Sequence, residues 1–310
     1  MNPHVDLPAK AIDRFPAPRE VQQGTFPDLS VRSVLQHPTR AALDGQGRLF
    51  VTDAKVGSVF VLDRDRRVVS EHKGLGRPLG IAVDSQGNIY VGSAEHRRVD
   101  VLDSKGRLFR VIGEGAIQMP NDLALDGDGN LYVADSLGHT VRVFDPSGNL
   151  TMNIGTRGDA PGELRFPAAI IVAARQDPKG SGAVELYVAD QGNGRVQVFD
   201  LAGRFLRTFG EPVEAFVGEW RGSFVRPQSL AMDSQGRLHV LDVGLTKVQI
   251  MDPVSGDFVA DYGTLGRSVG QLYLPLHIVM LPEGQVALTD SGNRRLEILR
   301  IPDTQAALGR

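Results

Sequence analysis

One 24-residue pattern recurs without gaps at Arg40 to Asp63, Gly80 to Asp103, Asp122 to Asp145, Ser229 to Asp252 and His277 to Arg300. A sixth copy, Ala169 to Asp200, keeps the same ends around extra residues. Each copy starts two residues after a proline, at Pro38, Pro78, Pro120, Pro167, Pro227 and Pro275. A residue that recurs at one place in every copy is explained first by the needs of the repeat unit. Functional residues are therefore sought among the departures.

Within a copy, a mostly apolar run such as GIAV or SLAM fits a strand buried on both faces. A polar turn follows, written Asp-x-x-Gly at Asp44, Asp84, Asp126 and Asp233, and then two segments with two-residue alternation flank a polar bend. After most copies comes a further short strand: GRLFRVIG, GNLTMNIG, GRFLRTFG and GDFVADYG. Four short antiparallel strands at a period of roughly 40 to 60 residues make a propeller blade. The reading is an all-β, six-bladed propeller. The last copy lacks a fourth strand, whereas LSVRSVLQ (Leu29 to Gln36) precedes the first copy without a blade of its own. That N-terminal strand is expected to complete the sixth blade and close the ring.

The expected organisation is an arm or tether at 1-27, one propeller domain at 28-303 and a tail at 304-310. The arm holds five prolines and no periodicity. The chain has no cysteine, which excludes thiolate chemistry and disulfides. No apolar stretch approaches the ~20 residues of a membrane span. With 34 basic and 37 acidic residues the formal charge is -3, which argues against a nucleic-acid partner.

LYVADQGNGRVQVFD (Leu186 to Asp200) followed by GRFLRTFG, and LTDSGNRRLEILR in the last copy, resemble NHL repeats. The resemblance covers about 270 of the 310 residues. It implies that the first strand of each blade lines a central channel, and that the bends between strands two and three share a face with the blade-to-blade connections. The family's acid and base stand at the two ends of that bend. Acids are Asp53, Asp135, Asp190, Asp242 and Asp290; bases are Arg98, Arg195, Lys247 and Arg295; Ser58, Ser93 and Thr140 depart from the pattern. Blades four, five and six thus keep both partners, read as hairpin braces. Compact NHL propellers of this kind resemble bacterial proteins that act outside the cytoplasm, so an extracytoplasmic site, after loss of a leader, is expected.

Candidate sites are few. Asp126-Gly127-Asp128-Gly129-Asn130 imitates a calcium loop but fills the slot of the hairpin turns and lacks the closing glutamate. The positions just after each proline vary most, and they place Arg40, Asn121, Asp122, Gln228 and His277 at the channel mouth. Asn121-Asp122 resembles a segment of gluconolactonase-like propellers, and an inward His277 resembles the amidoglycolate lyases, but the remaining ligands of either pattern are missing. Arg40 is expected to pair with Asp122 across the channel. The longest connection, Glu211 to Val225, carries Phe216, Trp220, Arg221 and Phe224 as a candidate partner-binding loop. The favoured function is a non-catalytic scaffold that binds a protein or small ligand. The alternative is a metal-dependent lyase or hydrolase at the channel mouth. No cofactor is expected under the first reading, a channel-mouth metal ion under the second, and the oligomeric state is left open.

Overall fold

The computed structural model describes residues 34–175, 182–212 and 220–301. Five four-stranded antiparallel sheets begin at Pro38, Pro78, Pro120, Pro167 and Pro227. The sixth holds three described strands, Pro275–Leu281, Gln285–Asp290 and Arg295–Arg300. These are the blades of a six-bladed β-propeller with almost no helix. The strand expected at Leu29 to Gln36 lies mostly outside the described residues, as do the 1-27 arm and the tail. Of it, residues 34–36 are described, and they form no strand.

Each blade is closed by local chemistry. The Asp44 carboxylate accepts the backbone N–H groups of Gln46 and Arg48 at 2.9 and 2.8 Å. Asp84, Asp126 and Asp233 repeat those bonds with their own turns. These are Asx turns, which aspartate favours because its short side chain reaches the backbone two residues on. The calcium look-alike is therefore a hairpin turn, with Asp126 also accepting from Asn130 Nδ2 and the Tyr132 hydroxyl. In blade four the two strands flanking the insertion lengthen to Pro167–Ala174 and Val184–Asp190; residues 176–181 of that insertion lie outside the described set.

Six apolar clusters fill the six seams between neighbouring blades. The seam between blades six and one joins Leu281 and Ala287 to Ala41, Val51 and Leu62, so the ring closes through side-chain packing. Three residues before each proline sits a wedge: Leu35, Leu75, Ile117, Leu164, Phe224 and Leu272, all at most 5 % exposed. Burying a side chain of this size stabilises by about 1.5–3 kcal/mol. Phe224 is therefore a member of the repeated core, and its burial takes it off the loop surface where the sequence had placed it.

Candidate functional site

A register shift interrupts the inner strand just after the proline in all six blades. Such bulges re-aim side chains. Two residues after each proline, the six blades contribute Arg40, Gly80, Asp122, Ala169, Ser229 and His277 at one end of the channel. Gly80 has no room for a side chain, since a Cβ there would lie 2.9 Å from the Asp122 Cα. The small residues leave space that Arg40 fills.

Arg40 is 2 % exposed and reaches across the ring. Its guanidinium donates to the carbonyls of Leu276 and Ala168 at 2.6 and 2.8 Å, bonding blade one to blades six and four. Nε lies 3.4 Å from Asp122 Oδ1, an ion pair without the alignment of a hydrogen bond. Asp122 Oδ2 accepts the Ile170 N–H at 3.1 Å. Asn121 Nδ2 donates to the same Ala168 carbonyl at 2.7 Å. His277 Nδ1 accepts the Ala41 N–H at 3.2 Å, and Ser229 Oγ accepts the Ile278 N–H at 3.2 Å. Gln228 instead takes a 2.6 Å bond from Gln191. Burial pushes the Asp122 carboxyl up to about 6, against the opposing pull of Arg40. Burial, followed by the Arg40 charge, drives His277 well below its ordinary range and keeps the ring neutral. Arg40, Asn121, Asp122 and His277 thus form one interlocked plug. No group of three or more His, Asp or Glu side chains arranged to hold a metal ion occurs among the described residues.

The bend acids hold the connections that arrive beside them. Asp53, Asp135 and Asp242 each accept two consecutive N–H groups of the incoming connection, and Asp190 and Asp290 accept one. Arg195 binds Asp190 at 2.8 Å and caps the Ala160 and Glu163 carbonyls; Arg295 treats Asp290, Ser268 and Gln271 in the same way. The expected pairing needs correction in blade five, where Lys247 pairs with Asp261. In blade two, which lacks the acid, Arg98 pairs with Asp100 and Glu114, and in blade three, which lacks the base, Arg142 binds Asp135.

The residue just before each proline forms a second ring on the connector face: His37, Arg77, Met119, Phe166, Arg226 and Leu274. All but Met119 are exposed. Phe166 and Leu274 have φ of 51°, a left-handed conformation that is an outlier for bulky side chains. The cause lies in the facing bend. In blades one, two, three and five, the carbonyl of the residue before proline accepts the N–H that follows the bend acid or serine. In blades four and six, Gly192 and Gly292 donate one residue further back, to Arg165 and Tyr273. That shift accompanies the left-handed conformation of Phe166 and Leu274. Phe166 packs against His139 with ring centroids 4.4 Å apart and planes tilted by 56°, and its N–H donates to His139 Nδ1.

Around this ring Lys55, Arg77, Arg97, Arg165, Arg226 and Arg294 are exposed and have no ion pair among the described residues. On the opposite face, arginines 48, 107, 204 and 237 are neutralised by the turn aspartates four residues earlier. Exposed cations without an ion pair among the described residues stand on both faces, Arg64 and Lys105 on the opposite one, and the connector face also carries the exposed acids Glu95 and Asp159. Of the predicted loop, Phe216 lies outside the described residues, Trp220 is half-buried, and Arg221 stacks over Phe258 at 5.5 Å. The signal for the rim was present in the sequence as the variable residue before an invariant proline.

Residues 118–144 match the NHL repeat family model. Over 144 residues the chain is 33 % identical to the E3 ubiquitin-protein ligase TRIM32 of Mus musculus and of Homo sapiens, covering 44 % of this chain and 19 % of those proteins. It thus spans about a fifth of the length of the curated relatives it matches. Among solved structures, XC5397 of Xanthomonas campestris, described as a gluconolactonase, superposes with a TM-score of 0.63 at 17 % identity over 86 % of this chain and 87 % of that one. Virginiamycin B lyase of Staphylococcus aureus gives 0.62 at 12 % identity over 90 % and 89 %. At these identities the likeness is one of fold. The chain is a six-bladed β-propeller that carries an NHL repeat.

Proposed function

We propose that the protein is a non-catalytic binding propeller whose connector face receives an acidic segment of a protein partner, anchored by apolar side chains. The observation that carries this reading is the ring before the prolines, where Phe166 and Leu274, both in the left-handed conformation, stand among Arg77, Arg165 and Arg226, which have no ion pair among the described residues. Strained backbone persists only where the surroundings over-determine it, at a cost of about 1–3 kcal/mol per residue. Rigid apolar anchors inside a cationic rim suit a peptide that brings carboxylates to the edge and buries an apolar residue at the centre. TRIM32, which shares the repeat, is a ubiquitin ligase, and that activity is not carried over. Work outside the cytoplasm belongs to the same proposal and is checked by cell fractionation.

The metal-hydrolase reading has less support. The guanidinium of Arg40 sits beside Asp122 where a cation would have to bind, and the Nδ1 of His277 is engaged by a backbone amide. Stoichiometric zinc or calcium in purified protein would revive it.

Peptide display against the immobilised protein tests the proposal. Selected sequences should be rich in Asp and Glu flanking Leu, Phe or Trp. Arg165→Glu with Arg226→Glu should weaken them at least tenfold without lowering thermal stability. Selection of neutral or basic peptides, or tighter capture of single-stranded RNA at physiological salt, would overturn the reading.

A further inference from the structure

The plug closes only one end of the channel. Beyond Arg40, Asp122 and Ser229, which are almost wholly buried, the inner strands become progressively exposed toward the opposite face, through Ala42, Leu43, Leu125, Val172 and Met232. Between plug and opening lies a cavity of about 530 Å³. Its wall is apolar, built by Leu43, Leu125, Val172, Met232 and Met280, and its titratable side chains are Asp122 and His277. That volume and that balance of apolar wall with few polar groups are those of a small-molecule pocket. Two methionines add an adaptable lining.

The closed end has unused hydrogen-bonding capacity. Because His277 Nδ1 accepts the Ala41 N–H, the ring proton resides on Nε2, which has no partner among the described residues. Asp122 Oδ1 lies 3.4 Å from the misaligned Arg40 Nε, which is itself buried without a hydrogen bond. Arg40 and Asp122 together carry no net charge, and neither donor nor acceptor at this end favours an ion over a neutral group.

We infer that the channel is a blind well for a neutral, mainly apolar molecule ending in a hydroxyl group. Its apolar body lies along the inner strands, and its hydroxyl accepts from His277 and donates to the Asp122 carboxylate. Entry is from the face opposite the connector rim, so the site is independent of the peptide surface proposed above.

Calorimetric titration with decanol, decane and decanoate tests the assignment. Decanol should bind one to one, and His277→Phe should weaken it about tenfold, the loss of a single hydrogen bond. Met232→Trp, which fills the well, should abolish binding while peptide capture at the rim persists. Arg226→Glu should leave decanol binding unchanged. Absence of decanol binding to the folded protein, retention of binding in Met232→Trp, or equal binding of decanoate at neutral pH would each overturn the inference.

Discussion

Arg40 and Asp122 stand on blades one and three, and their charges meet across the channel, Nε 3.4 Å from Oδ1, with both side chains buried. Two forces on the carboxyl oppose each other there. Desolvation raises its pKa, Arg40 lowers it, and desolvation prevails, leaving it at about 6.

A carboxyl raised in the folded state retains a proton that the unfolded chain has already lost. Stability from this group is therefore fully present below about pH 4 and is lost as pH rises from there through 6, by about 3 kcal/mol. Asp122→Asn should accordingly match the parent at pH 4 and exceed it at pH 7 in denaturant unfolding. A variant weaker than the parent only at neutral pH would show that the ion pair outweighs desolvation.

Phe224 and Trp220 lie four residues apart and should respond in opposite ways. Phe224 is fully buried in the seam between blades four and five, so Phe224→Ala should cost about 3–5 kcal/mol. Trp220→Ala should cost less than about 1 kcal/mol, since a half-buried side chain leaves no comparable cavity. Thermal unfolding of the two variants checks both.

Gly192 couples the bend of blade four to the rim. A Cβ at this position would stand 2.6 Å from the Arg165 carbonyl, which accepts the Gly192 N–H at 2.7 Å. Gly192→Ala should break that bond, destabilise by about 1–3 kcal/mol and release Phe166 from its left-handed conformation. Loss of the Phe166–His139 ring-current shifts in NMR spectra would report it; unchanged shifts would contradict the coupling.

Arg195 and Lys247 occupy equivalent places in successive blades with different duties. Arg195→Ala would strand the carboxylate of Asp190 and two connector carbonyls, and should cost about 2–4 kcal/mol and expose residues 156–166 to protease. Lys247→Ala removes an exposed pair with Asp261 and should cost less than about 1 kcal/mol.

Much of this was legible from residues that interact with near neighbours in sequence. Asp44, Asp84, Asp126 and Asp233 bond the backbone two and four residues on, so the turns, and with them the blades, could be read directly. The plug was legible in part. Arg40, Asn121, Asp122 and His277 stood out as departures from the repeat, but not the two carbonyls that Arg40 caps. The rim was missed, because the conformation of Phe166 depends on Gly192 in a bend not yet formed when that part of the chain is read.

The sequence by itself determined the repeat, the strand order and the six blades, because alternation and turn chemistry act over a few residues. Only the tertiary structure decided that Phe224 is core and that the channel is blind at one end. Those properties arise from residues brought together around a closed ring, such as Arg40 with the carbonyl of Leu276, and no local pattern encodes which blade faces which.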